Sequence, residues 1–493
     1  MTPDSVPRVP VTAGPVGRGV LVVVGDALLD RDLEGRAERL APDAPVPVVD
    51  DPAERRRPGG AALAATLAAL LDGRPVVLVT ALAGDEAGTA LRGLLERAGV
   101  EVVDLGLAGQ TPEKIRVRAA GQSLLRLDRA TRPGRVGPLG RSGRRALEGA
   151  AAVLVADYGR GVAAEPGVRA ALAARPARRP LVWDPHPRGP APVPGARLAT
   201  PNRAEAAAFA AQAPGDGLAA ATARARLLAE RWAAAGIAVT LGPGGALLVE
   251  GAGAPLLVPA PATGGGDPCG AGDRFAATAA GLLADGALPS EAVAGAVAAA
   301  SAFVAAGGAT TVQLGPADPG TPEPHPPGPG ADRPSVEGSA LERALGVIAG
   351  VRARGGTVVA TGGCFDLLHA GHVATLRAAR ALGDCLVVCL NSDDSVRRLK
   401  GPERPLVREA DRAAVLEALG CVDAVVPFDE RTPEAVLRRL RPDVFAKGGD
   451  YALADLPEAG LLAGWGGQAV VLPYLEGRST TQLMKEVVRR DSH

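Results

Sequence analysis

Lysine is scarce in this chain. Among 54 basic residues only four are lysine (Lys114, Lys400, Lys447 and Lys485), and the only asparagines are Asn202 and Asn391. Formal net charge is zero, which argues against an electrostatic binder of nucleic acid or another polyanion. Five cysteines occur without a C-x-x-C pair, so neither a disulfide framework nor a thiolate zinc site is expected, and a reducing, cytoplasmic setting fits. The most apolar run, Ala292 to Ala306, is mostly alanine and is expected as a buried helix rather than a membrane span. Residues 1–18 are rich in proline and glycine and lack an apolar signal core, so they read as a disordered extension without a secretion signal.

What is abundant is Ala, Gly, Pro and Arg, with 47% apolar residues, ample for buried cores. At 493 residues, two or three domains are expected. Against an arginine-rich background, a lysine that persists marks a place where the wide guanidinium fork does not fit and a compact point charge does. Four of the six Lys and Asn residues (Asn202, Asn391, Lys400 and Lys447) fall inside the motifs below, which supports that reading.

The chain is organised around Asp267-Pro268-Cys269-Gly270-Ala271-Gly272-Asp273, ahead of an Ala-rich segment, Arg274 to Asp285, that reads as a helix. Two glycines allow a tight turn that presents bare N–H groups at the helix start, a place suited to phosphate. A carboxylate there repels phosphate, so Asp273 makes sense as a base that takes a proton from an attacking hydroxyl. The bland reading is a glycine turn capped by Asp273.

Apolar runs and helical segments alternate along the first 314 residues. Gly19 to Gly25 reads as a buried strand ending at Gly25-Asp26, with Asp30 four residues on, where an open α/β sheet binds ligands. Pro45 to Asp50 is expected as a short strand. The Arg55-Arg56-Arg57-Pro58-Gly59-Gly60 segment then opens a helix at Ala61 to Leu71, its arginines either solvated or in contact with an anionic substrate. Lys114 to Ala119 and Leu124 to Asp128 look like a strand pair suited to a lid. Ala152 to Ala156 and Leu181 to Trp183 read as strands ending at Asp157 and Asp184. The expected fold is a mostly parallel sheet with helices on both faces. Residues 315–336 are too rich in proline and glycine to build a core and read as a linker. Ser339 with Glu342 looks like a capping box, and from Thr357 onward a strand–helix–strand pattern restarts.

The second half carries its own chemistry. Gly363-Cys364-Phe365-Asp366-Leu367-Leu368-His369-Ala370-Gly371-His372 links a strand to a helix. His369 and His372, three apart, share one face of the first turn, where imidazoles donate to phosphate oxygens. Zinc is the rival, but no third ligand stands at suitable spacing. Asn391-Ser392-Asp393, Lys400, Lys447-Gly448-Gly449-Asp450 and Ser479-Thr480-Thr481 add further candidate contacts for a nucleotide phosphate.

Through Gly25-Asp26, Pro58-Gly59-Gly60-Ala61, Asn202-Arg203-Ala204-Glu205 and Gly270-Ala271-Gly272-Asp273, the first half resembles the ribokinase-like (PfkB) sugar kinases. Through H-A-G-H, N-S-D, K-G-G-D and S-T-T, the second half resembles the cytidylyltransferase-like nucleotidyltransferases. The fusion in this order is similar to the bifunctional enzymes of ADP-heptose synthesis. The resemblance implies a ribokinase-like three-layer domain over 19–314 and a Rossmann-like HxGH nucleotidyltransferase domain over 337–493.

It also implies roles. Asp273 is the base for the sugar's anomeric hydroxyl, and the Gly270, Ala271 and Gly272 amides hold the transferring phosphoryl group. Asn202 and Glu205 serve ATP and Mg²⁺, with Glu205 the metal ligand. Asp26, Asp30, Gly59, Gly60, Lys114 and Asp157 contact the sugar phosphate. His369 and His372 stabilise the α-phosphate of a second ATP, with Phe365, Asn391, Asp393, Lys400, Lys447, Ser479, Thr480 and Thr481 around the nucleotide. A homodimer through the kinase domain follows from the same resemblance. The kinase product is a 1,7-bisphosphate while the second half takes a 1-phosphate, so a separate phosphatase must act between the steps. Leu63, His186, Cys269 and Gly362 stand where the family usually has Asn, Lys, Thr and Asn. Two other readings keep the architecture: a different sugar or a CTP or GTP donor, or a kinase half reduced to a sugar-binding scaffold.

Overall fold

The computed structural model describes residues 18–472, apart from 42–43, 45, 120–121, 262–265, 313, 315–338 and 449–456. Residues 1–17 of the expected 1–18 extension, the 315–336 linker and Ser479-Thr480-Thr481 lie outside the described residues. Two compact units emerge, one from Met1–Thr200, Trp232–Ala234 and Gly265–Pro319, the other from Pro201–Arg231, Ala235–Gly264 and Gly320–His493.

In the first unit six parallel strands lie in the order Leu198–Ala199, Leu181–Asp184, Ala152–Ala156, Leu21–Gly25, Val76–Thr80, Val100–Asp104. The central strands Leu21–Gly25, Val76–Thr80 and Ala152–Ala156 are buried at every position, the burial expected of strands covered on both faces. Helices Ala61–Leu71, Glu86–Arg97 and Ala271–Ala284 pack with them; the alanine-rich run lies in helix Pro289–Ala305, which packs against Ala271–Ala284 and buries one face (Ala292, Val293, Ala296, Val297, Phe303) while Ala298 and Ala302 are exposed. No helix among the described residues is long and apolar enough to cross a membrane.

A separate four-stranded sheet has the order Pro47–Gly60, Ala27–Leu40, Glu113–Ala119, Gln122–Arg129. The expected strand pair at 114–128 is its outer half. Its inner half departs from expectation. The strand expected at 45–50 runs on through the three arginines to Gly60, and it pairs with a strand, Ala27–Leu40, that apolar alternation does not reveal. Past the buried Ala27, Leu28 and Leu29, charge pairing takes over: buried Asp32 accepts from buried Arg57, and buried Asp30 accepts from Arg116 at 2.8 Å. Arg57 is therefore neither solvated nor at a helix start.

The second unit contains five parallel strands in the order Ala424–Phe428, Cys385–Asn391, Val358–Gly363, Val444–Gly448, Gln468–Leu472. It also contains the antiparallel hairpin Gly236–Thr240 and Ala246–Glu250, expected around Gly242 to Gly245. The Ser339–Glu342 capping box opens helix Ala340–Ala353, as expected. Its apolar face joins Ile348 and Val351 to Phe445, Leu437 and Leu440 in one core.

Candidate active sites

Two strand ends and one helix start converge on the first site. The chain leaves Leu21–Gly25 at Asp26 and leaves Ala152–Ala156 at Asp157-Tyr158, while helix Ala271–Ala284 begins at the glycine turn. Gly270 is the helix N-cap with φ +81°, a left-handed conformation that glycine adopts without strain. Leu63, where the family usually has Asn, is buried and packs with Phe303, Ala309 and Cys269. A Cβ on Gly270 would meet Leu63 at 2.8 Å, so this leucine supports the turn from below.

Asp273 occupies the first turn of the helix and is 8% exposed. Tyr158 donates its hydroxyl hydrogen to Oδ1 of Asp273 at 2.6 Å. Burial pushes the Asp273 carboxyl up to about 7; the Tyr158 hydrogen bond and Lys114 hold it down, and Asp30 pushes it further up. That value suits a group that must accept a proton near neutral pH. Lys114 Nζ lies 5.5 Å from the centre of the Tyr158 ring.

The other acidic candidates are already engaged. Asp26 accepts from the backbone N–H groups of Tyr158, Arg160 and Val162 at 2.9 to 3.1 Å, so it shapes the Tyr158 loop. Asp30 takes Arg116, with Arg57 3.9 Å away. Asp157 accepts from Gly159 N–H, and burial raises its carboxyl to about 7. Gly59 and Gly60 end the strand before helix Ala61–Leu71. Gly60 has φ +62°, and a Cβ there would lie 2.6 Å from the Asp26 carbonyl oxygen.

Beside Tyr158 lies a cavity of about 180 Å³ lined by Lys114, Arg126, Arg160 and Arg188, by the acidic Glu113 and Asp128, and by His186; Arg126 donates to both Asp128 oxygens, and the basic side chains outnumber the acidic ones. His186 Nδ1 accepts from the Arg188 N–H at 3.1 Å, which leaves Nε2 to carry the proton. Burial, then the Arg188 charge, lowers its pKa.

In the second unit, Asn202 and Glu205 form a reciprocal capping box on helix Arg203–Phe209. Asn202 N–H donates to Glu205 Oε2 at 2.8 Å, and Glu205 N–H donates to Asn202 Oδ1 at 2.9 Å. Burial raises the Glu205 carboxyl.

The nucleotidyltransferase candidates gather around a cavity of about 780 Å³ at the carboxyl ends of Val358–Gly363, Cys385–Asn391 and Val444–Gly448. Phe365, His369, His372, Asn391, Lys400 and Lys447 all line it. His369 is the N-cap of helix Ala370–Arg380, and its Nδ1 accepts from Gly371 N–H at 3.1 Å. His372 Nδ1 accepts from His369 N–H at 3.4 Å. Both rings therefore carry their proton on Nε2 when neutral. The two rings stack with centroids 3.9 Å apart, and Phe365 sits 5.4 Å from His372. Burial, then His369 and Lys400, lower the His372 pKa to about 4. Phe365 has φ +46°, an uncommon conformation for a bulky residue and one that clusters at functional turns.

Asp393 does not line the cavity. Its Oδ1 accepts from Arg412 at 2.7 Å and from Glu409 N–H at 2.9 Å, so it braces helix Glu409–Glu417. Arg412, 2% exposed, also donates to the carbonyls of Cys364 and Asn391, tying the two strand ends together. Asp366 likewise holds Arg404 and the N–H groups of Leu406 and Val407. In an arginine-rich sequence nothing marked Arg412 or Arg404 out. Glu458, buried 3.6 Å from Lys447, also lines the cavity and was not anticipated.

Both halves of the chain resemble known proteins. Residues 20–314 match the pfkB family carbohydrate kinases, and residues 360–468 match the cytidylyltransferase-like family. Bifunctional protein HldE of Streptomyces coelicolor is 60% identical over 469 residues, covering 95% of this chain and 96% of that protein. The HldE proteins of Caulobacter sp. strain K31 and Caulobacter vibrioides are 40% and 38% identical, each covering at least 94% of this chain and 95% of theirs. The chain therefore belongs to the HldE family of bifunctional proteins, with a carbohydrate kinase region ahead of a nucleotidyltransferase region.

Proposed function

We propose that the chain catalyses two separate transfers in nucleotide-sugar synthesis: phosphorylation of D-glycero-D-manno-heptose 7-phosphate at O1 by ATP, and adenylyl transfer from ATP to heptose 1-phosphate with release of pyrophosphate. The observation that carries the kinase half is a buried carboxyl near neutral pKa in the first turn of a glycine-capped helix. Asp273 takes the proton of the anomeric hydroxyl, and the oxygen so freed attacks the γ-phosphoryl group. The Gly270 to Gly272 turn presents N–H donors to the charge on that group. The cationic cavity beside Tyr158 suits the phosphate at the far end of the sugar.

Glu205 would hold Mg²⁺ on the triphosphate, since one carboxylate oxygen is left outside its capping box and hard cations take oxygen ligands. When bound, the ion neutralises phosphate charge. In the second half, His369 and His372 donate from Nε2 to the α-phosphate as the sugar phosphate attacks, and Lys400 and Lys447 add positive charge around the leaving pyrophosphate. The catalytic regions are 19–314 and 337–493. The 1,7-bisphosphate cannot enter the second reaction unaltered, so a separate phosphatase acts between them. A cytoplasmic location fits these soluble substrates.

Product mass spectrometry tests this reading. Heptose 7-phosphate with ATP should yield a bisphosphate and ADP; heptose 1-phosphate with ATP should yield ADP-heptose and pyrophosphate. Equal or faster pyrophosphate release with CTP or GTP would overturn the adenylyl assignment.

A homodimer through the lid sheet belongs to the same reading. The edge strand Gln122–Arg129 is exposed at all eight positions, with Leu124, Leu125 and Leu127 38%, 51% and 44% exposed. An edge strand bearing exposed leucines is a ready site for a second copy. Sedimentation should show a dimer that Leu125→Asp converts to monomer; a monomeric parent protein would contradict it.

A further inference from the structure

Tyr158 sits where three parts of the kinase site meet. Its backbone N–H donates to Asp26, its ring lies beside Gly60 and under Lys114, and its hydroxyl reaches Asp273. Among the described residues, no other side chain hydrogen-bonds Asp273. We propose that Tyr158 is the positioning residue of the kinase base: it occupies Oδ1 of Asp273, fixes the carboxylate plane, and leaves Oδ2 to receive the proton of the sugar hydroxyl. The inference rests on Asp273 acting as the base and adds a residue to that role.

The balance of the step is simple. The sugar O–H bond breaks and its proton goes to Oδ2. The sugar oxygen forms a bond to the γ-phosphorus, and the bond from that phosphorus to the bridging oxygen of ADP breaks. The phenol keeps its own proton throughout, because burial and the Asp273 charge push its pKa well above 10. A donor that stays protonated stabilises the carboxylate form of its partner. The charged groups facing the pair are Lys114 and Asp30 from the lid sheet and Asp184 from the end of the neighbouring strand. None of these replaces a neutral donor held 2.6 Å from Oδ1.

Tyr158→Phe keeps the ring that packs by Gly60 and removes only the hydroxyl. Loss of a hydrogen bond to a charged group should move the acidic limb of the kinase pH profile up by about one unit. The full chain is assayed for ADP formation with heptose 7-phosphate and ATP across pH 5.5–9 (roughly the span in which such a carboxyl titrates). The expected result is a deficit that is greatest in acid and shrinks as pH rises. A uniform loss at all pH values, or an unmoved limb, would overturn the proposal.

A second readout does not need turnover. The chain has three tyrosines, so tyrosinate absorbance resolves them. One should titrate well above the other two, vanish in Tyr158→Phe, and come down in Asp273→Asn. An Asp273→Asn protein with an unchanged tyrosine titration would refute the contact. If the parent protein makes no ADP from heptose 7-phosphate while the tyrosine titration behaves as expected, the kinase assignment fails and the Tyr158–Asp273 contact stands.

Discussion

Asp273→Asn should remove ATP-dependent phosphorylation of the sugar, with ADP formation falling by roughly 10²–10⁴-fold. Asparagine keeps the shape and the helix start, so the loss reports the base and not the fold. The parent enzyme should show ADP formation that rises as pH passes through about 7, because Asp273 accepts a proton only when ionised and burial holds its pKa there. The sign is fixed by the chemistry: a protonated carboxyl cannot serve as base, so activity is lost on the acid side. Stopped assays at several pH values, with heptose 7-phosphate and ATP saturating, provide the check. An unchanged rate in the Asn variant would mean that another group deprotonates the hydroxyl.

His372→Ala should lower pyrophosphate release from ATP and heptose 1-phosphate by about 10²–10³-fold, the usual effect of removing one donor aimed at developing negative charge. His372 is half-buried beside a second imidazole and near Lys400, and its pKa is held down at about 4. It therefore stays neutral across the physiological range, with the proton on Nε2. Below its ordinary pKa a typical histidine would become charged and change the rate; here the contribution of His372 to the pH profile should stay flat from neutral down towards pH 5. A step in the adenylyl rate near pH 6.5 that disappears in His372→Ala would show that the imidazole titrates normally and that the tight stacking with His369 does not persist in solution.

The parts of both sites that were legible in the sequence share a property: they sit where backbone geometry forces residue type. The glycine turn before Asp273 and the H-A-G-H start of helix Ala370–Arg380 both appear where expected, at helix starts. Lys400 and Lys447, rare cations in an arginine-rich chain, both line the cavity of about 780 Å³ in the second unit. The failures also have a common cause. Strand Ala27–Leu40 shows no apolar alternation because, past Leu29, its buried positions are Asp30 and Asp32, paired with arginines. Asp26 accepts from three loop N–H groups, and Asp393 accepts from Arg412 and Glu409 N–H on Oδ1, partners that strand-end position does not disclose. Sequence position put them at the right strand ends, but only coordinates reveal which way a carboxylate turns. Tyr158 and Arg412 carried no signal of spacing at all; each acts through a partner far away in the chain, at separations of 115 residues to Asp273 and 48 to Cys364.

On the function proposed above, one chain holds two chemically independent active sites, a carboxylate base in the first half and an imidazole pair in the second. The most direct test measures both reactions in both variants. Asp273→Asn should lose ADP formation from heptose 7-phosphate and keep the parental rate of pyrophosphate release from heptose 1-phosphate, and His372→Ala should show the reverse. Loss of both activities in either variant, with the protein still folded, would contradict the account.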